Sequence, residues 1–257
     1  MIGLCIKYYN KNYGSMLQCY ALTKFLELNN FDYEIIRYKK KKNISMFLKN
    51  LPRLFNKILI NDKKEVFKKK IGLLLNDDFR KNNSIREECF NKFCDDYFLN
   101  LSNIYNGYSE LKKGSKNYDV VLSGSDQLWS PAGLPSHFYT LEFCDKSVKR
   151  VSYASSFGVS YVPWYQKKRT KKYLLEMNAI SVREEAGEKI INKLINKEVS
   201  VVVDPVMLLS KNQWDELIEN KLLYNFEYIF AYFLGDNKKY REDVVNFSKR
   251  TGLKIVT

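Results

Sequence analysis

The chain has 257 residues, of which 45% are hydrophobic and 15% aromatic, and a formal net charge of +14. That length and apolar content exclude a disordered polypeptide and suffice for the buried core of one large or two small domains. No apolar run reaches membrane-spanning length, and Met1 leads straight into a strand rather than a signal peptide.

Five cysteines (Cys5, Cys19, Cys89, Cys94 and Cys144) lack C-x-x-C spacing, and His137 is the single histidine. A metal site is therefore not expected, and the cysteines suit a reducing, cytoplasmic compartment. The positive charge would attract an acidic partner. It reads equally as the lysine- and asparagine-rich habit of an AT-rich genome. No zinc-finger spacing, RNP aromatic pair or GXXG loop is present, so no nucleic-acid partner is expected.

In chain order, Met1–Tyr8 is a continuous apolar strand of the kind buried on both faces. Asn10–Ser15 is a turn in which Asn12 or Ser15 caps the next helix. Leu17, Ala21, Phe25 and Leu28 form one stripe of a helix over Met16–Leu28, and Tyr33–Tyr38 is the next strand. Strand, helix and strand in that order make a βαβ unit with parallel strands.

Residues 39–115 read as a basic helical insertion. Lys39–Lys42 is a lysine run, and apolar residues from Ile44 to Leu59 follow a helical period. Lys49, Arg53 and Lys57 step along the opposite face. Such a basic amphipathic helix suits peripheral contact with an anionic membrane; a helix packed on its own domain has the same pattern, and Pro52 would kink it. Arg86–Phe98 is a second helix, with Cys89, Phe93 and Tyr97 on a core-facing stripe.

Tyr118–Pro131 (YDVVLSGSDQLWSP) carries most information. Val120, Val121 and Leu122 form a buried strand that stops at Ser123-Gly124-Ser125, small residues that let backbone approach a ligand. Asp126, Gln127 and Trp129 follow at the carboxyl end of the strand, where open α/β sheets bind ligands. Carboxylate and amide bond sugar hydroxyls and an indole covers a ring face; a strand-to-turn loop with one buried tryptophan has the same sequence.

Val148–Ala154 is another strand, leading into Ser155-Ser156-Phe157-Gly158. A lysine-rich helix over Tyr165–Met177, a strand at Ala179–Val182, a helix at Glu185–Ile195 and a strand at Val199–Val203 complete a doubly wound α/β domain. Arg183, at a strand's carboxyl end, could clamp a carboxylate or phosphate through two parallel bonds, or pair internally with Glu184 or another carboxylate. Ser210 caps a helix over Asn212–Ile218. Tyr228–Leu234, Asp236–Arg250 and Leu253–Thr257 then read as strand, helix and strand. So small a unit should leave apolar surface and an open edge.

GSDQLWSP resembles the GSDQ-W motif of the polysaccharide pyruvyl transferase family. Four further stretches fall in that family's order: Asn12–Leu22 (NYGSMLQCYAL), Ser152–Gly158 (SYASSFG), Ile180–Glu185 (ISVREE) and Val203–Leu209 (VDPVMLL). The resemblance implies two Rossmann-like lobes in a GT-B-like arrangement. Residues 1–209 would be the acceptor lobe, and 210–257 a linker helix and the start of an incomplete donor lobe.

It also implies transfer of pyruvate from phosphoenolpyruvate, as donor substrate rather than cofactor, to two hydroxyls of a saccharide or lipid-linked saccharide. Asp126 would be the catalytic residue, and Arg183 and Glu184 would face the donor. Asn12, Tyr13, Gly14, Ser15, Gly124, Ser125, Gln127, Trp129, Ser155 and Phe157 would line the acceptor side. The family's donor-side histidine lies beyond Thr257 and His137 matches no part of its motif, so this chain would be a fragment of doubtful activity. Two alternatives stay open: a GT-B glycosyltransferase using a nucleotide sugar, and a non-catalytic carbohydrate-binding remnant.

Overall fold

The computed structural model describes residues 1–41, 66–67, 71–133, 137–218, 224–233, 235 and 237–257. Two compact units, Met1–Leu209 and Ser210–Thr257, divide the chain. In the first, seven strands form one sheet: β1 (Ile2–Cys5), β2 (Tyr33–Lys39), β3 (Leu101–Asn106), β4 (Val120–Ser123), β5 (Lys149–Ser155), β6 (Ala179–Val182) and β7 (Ser200–Val201). Their order is β3-β2-β1-β4-β5-β6-β7, and every neighbouring pair is parallel. This is the expected α/β, Rossmann-like architecture, consistent with a GT-B-like lobe. The order reverses between β1 and β4, and the crevice beyond the carboxyl ends at such a switch point is where open α/β sheets bind ligands.

Helices that accompany the sheet include α1 (Tyr13–Leu28), α2 (Asp77–Tyr97), α3 (Tyr108–Gly114), α4 (Trp164–Leu175) and α5 (Glu185–Ile195). Asn12 caps α1, its Oδ1 accepting from the Ser15 amide at 3.1 Å. The central strand is apolar throughout because both its faces are covered: Leu4, Cys5 and Ile6 are all buried. One core cluster runs from Cys5 and Val121 through Trp129, Phe143, Phe157 and Tyr173 to Ile191.

Two expectations change. Leu101–Asn106, read as part of a helical insertion, is the edge strand β3, because its backbone completes the ladder of β2. On α2 the buried stripe is rotated: Phe90 is buried and Cys89 exposed. Phe93 and Tyr97 pack on Tyr20 of α1, with ring centroids 6.0 and 5.2 Å away. The basic amphipathic helix expected from Ile44 to Leu59 lies outside the described residues.

The second unit holds α6 (Lys211–Asp215), β8 (Tyr228–Phe230), α7 (Lys238–Thr251) and β9 (Lys254–Val256), with β8 and β9 parallel. Ser210 and Gln213 form a reciprocal capping box at the start of α6. Asn237 caps α7, and Gly252 ends it in the left-handed conformation. Phe230, Tyr232 and Tyr240 are exposed. Among the described residues no helix is long and apolar enough to cross a membrane.

Candidate functional site

The switch point is occupied by Asp126. It lies just past β4, after Gly124 and Ser125, and adopts φ +92°, a conformation costly for a residue with a Cβ and one that asparagine and aspartate tolerate best. Surrounding bonds hold it there. The Ser156 amide donates to the Asp126 carbonyl at 3.0 Å, and the Gln127 amide donates to Asp126 Oδ1 at 2.7 Å.

The other carboxylate oxygen, Oδ2, accepts from Ser15 Oγ at 3.1 Å and lies 3.3 Å from Lys7 Nζ. Asn10 Nδ2 donates to Ser15 Oγ at 3.2 Å, which extends the chain of bonds back into the β1–α1 loop. A lysine after β1 and a serine in the first turn of α1 thus converge on one carboxylate oxygen of the aspartate after β4. A carboxylate so placed can orient a hydroxyl and accept its proton.

Arg183, after β6, donates through Nη1 to Asp204 Oδ2 at 2.7 Å, and its Nε lies 3.7 Å from Glu184. Of the two sequence readings of Arg183, the internal ion pair is present here. The side chain stays 32% exposed. Asp204 Oδ2 also accepts from Ser125 Oγ at 3.0 Å, and Oδ1 accepts from the Val206 amide, starting the turn Pro205–Met207 that packs on α1. Glu184 accepts from Ser156 Oγ at 2.6 Å. Tyr153 donates to the Val203 carbonyl at 3.2 Å; burial, then the nearby Asp204 carboxylate, push its phenol up. Polar groups therefore form a continuous row along the carboxyl ends of β1, β4, β5, β6 and β7.

The structure brings Asn12, Ser15, Ser125, Asp126, Arg183 and Glu184 into this row. Gly14 is exposed at the start of α1, and Tyr13 turns its ring onto Phe90 of α2, with centroids 4.9 Å apart. Gln127 is exposed, and its side chain lies against Gly158.

Three expected acceptor residues are core instead. Trp129 is 1% exposed, packs on Phe157 and Tyr173, and donates its indole N–H to the Tyr139 carbonyl at 3.1 Å. It covers no exposed ring face. Phe157 is fully buried beside it, and Ser155 is buried with its hydroxyl donated to the Gly124 carbonyl at 2.9 Å. Gly124 has a structural cause too: a Cβ there would lie 2.6 Å from Ile6 Cγ2, so its smallness admits a protein side chain rather than a ligand.

Ser156, a strand-end hydroxyl already legible in the sequence, belongs to the site, as do Lys7 and Asp204, which were not singled out there. Each follows or closes a strand of the parallel sheet, and applying the strand-end rule to every strand would have found them. His137 Nδ1 lies 3.0 Å from Glu142, which Arg169 also engages at 2.9 Å. Among the described residues no group of three or more His, Cys, Asp or Glu side chains could hold a metal ion.

The family model described as Polysaccharide pyruvyl transferase matches residues 12–257. Comparisons with curated proteins and with solved structures give no match.

Proposed function

Because this chain belongs to the polysaccharide pyruvyl transferase family, we propose that it transfers pyruvate from phosphoenolpyruvate to two hydroxyls of one sugar, forming a cyclic ketal in surface polysaccharide biosynthesis. The observation that carries this reading is the convergence of Lys7, Ser15 and Asp126 at the switch point of the sheet.

Protonation of the enol methylene makes the adjacent carbon cation-like. Two sugar hydroxyls add to that carbon as phosphate leaves, so one hydroxyl proton balances the new methyl group and the other departs with phosphate. Asp126 orients the first hydroxyl and takes its proton, while Lys7 and Ser15 fix the carboxylate. Arg183, fixed by Asp204, holds the donor's carboxylate or phosphate. The acceptor is a free or lipid-linked saccharide. The reading places the enzyme in the cytoplasm, with peripheral contact to an anionic membrane where the acceptor is lipid-linked.

The test is glycan-dependent phosphate release from phosphoenolpyruvate. Asp126→Asn should lower kcat by about 100-fold or more, the scale of lost general acid–base catalysis. Arg183→Ala should raise the KM for phosphoenolpyruvate. Thermal stabilisation by nucleotide sugars with none by phosphoenolpyruvate would instead point to glycosyl transfer and overturn the proposal.

A further inference from the structure

Between the β1–α1 loop and α2 lies a cavity of about 350 Å³, lined on the loop side by Tyr8, Tyr9, Lys11 and Met16 and on the helix side by Phe90, Asn91, Cys94 and Asp95. The same loop serves two places. Lys7 and Ser15 hold Asp126, while the residues between and beside them wall the cavity. The volume is at the small end of the range for small-molecule sites, about 300–1,000 Å³.

The cavity's chemistry suits a neutral polyhydroxylated ligand. Met16 and Phe90 are buried and give an apolar floor, whereas Tyr9 is 62% exposed and offers ring surface. The side-chain amide of Asn91 and the carboxylate of Asp95 are both at exposed residues lining the cavity. Together they supply donors and acceptors for hydroxyls above an apolar ring surface.

An anion is disfavoured there. Lys11, the cation among the lining residues, lies 3.1 Å from Glu87, and Asp95 adds a second carboxylate. Two other wall groups are kept neutral: burial pushes up the Tyr8 phenol, and it does the same to the Cys94 thiol. The loop is anchored, so the cavity is built rather than incidental. Arg86 donates to the Lys11 carbonyl at 2.8 Å, and Cys94 donates to the Tyr8 carbonyl at 3.4 Å.

We propose that this cavity is a saccharide subsite, which takes a neutral sugar unit of the acceptor next to the one that reacts at Asp126. The assignment rests on the transferase reading above for its choice of ligand class. It predicts that the enzyme recognises at least a disaccharide, with the unreacting sugar seated between Tyr9 and Asn91.

The experiment is saturation-transfer NMR on the full chain with lactose, cellobiose and maltose, comparing the unaltered protein with Tyr9→Ala and Asn91→Ala. Both substitutions are at exposed positions and should leave folding intact, which circular dichroism checks. Trp164→Ala, at an exposed aromatic on α4, controls for unspecific ring contacts. The expected result is saturable binding of at least one disaccharide, weakened about tenfold or more by Tyr9→Ala and by Asn91→Ala and untouched by Trp164→Ala. Binding undiminished in both cavity variants, or no saturable binding of any of the three sugars, overturns the subsite. Failure of phosphate release with cavity-dependent sugar binding would instead refute the transfer reaction while keeping the subsite.

Discussion

Trp129→Phe separates the two roles that a tryptophan in this loop could have. In the structure its indole is buried against Phe157 and Tyr173, so the smaller ring leaves unfilled volume in a close-packed core. Full truncation of a buried aromatic to alanine costs about 3–5 kcal/mol, and phenylalanine keeps roughly half the ring, so about 2 kcal/mol is expected from packing. The lost N–H bond adds little, on the order of 0.5–1 kcal/mol, because the Tyr139 carbonyl keeps its second donor, Ser123 Oγ at 3.1 Å.

A loss of about 2–3 kcal/mol should lower Tm by roughly 5–10 °C for a unit of this size. Thermal unfolding followed by near-ultraviolet circular dichroism measures that shift, and acceptor KM is measured on the same preparation below the transition. The reasoning requires a lowered Tm with an unchanged KM. An unchanged Tm with a raised acceptor KM would refute it and return the indole to the ligand.

Glu142 makes a second prediction, about acid stability. Burial acts to raise its pKa, but hydrogen bonds from His137, Thr140 and Arg169 outweigh burial and hold it at about 2 against an ordinary 4.5. A depressed carboxyl stabilises the fold fully above its unfolded pKa and loses that contribution as pH falls from about 4.5 through about 2. On the order of 2 kcal/mol is at stake after screening through the partly exposed His137 and Arg169. Glu142→Gln should therefore be less stable at neutral pH and show a shallower acid limb in urea titrations; parallel pH profiles for the two proteins would contradict the ion-pair account. Gly158→Ala should cost about 1–2 kcal/mol, since φ is +64° and the new Cβ would lie 2.7 Å from the Gln127 side chain. A Tm within one degree of the unaltered protein would show that the loop relaxes freely.

The strand at Val120–Ser123, the capped helix after Asn12 and the strand–helix alternation from Lys149 to Val201 were all legible in the sequence. Each is set by local rules: an apolar run, a capping side chain, a helical period. The parallel sheet followed, because a strand, a helix and a strand in succession have essentially one handed solution. The edge strand β3 was not legible, since Leu101–Asn106 shows neither clean alternation nor a long apolar run, and its place depends on pairing with β2.

The direction of side chains in irregular loops belonged to the tertiary structure alone. Once a strand ends, no period says which way the next residue points. Trp129 turned inward and Asp126 stayed at the crevice, although the two are three residues apart. Gly124 likewise looked like room for a ligand until Ile6 was seen against it. The bonds that define the site join residues far apart in the chain: Ser15 to Asp126, Ser125 to Asp204, Arg183 to Asp204. Local propensity acts over a few residues, so it can place each of these at a strand end but cannot choose its partner. That choice is made by the order of strands in the sheet, which brings the end of β1 beside that of β4 and puts a lysine and a serine on one oxygen of an aspartate.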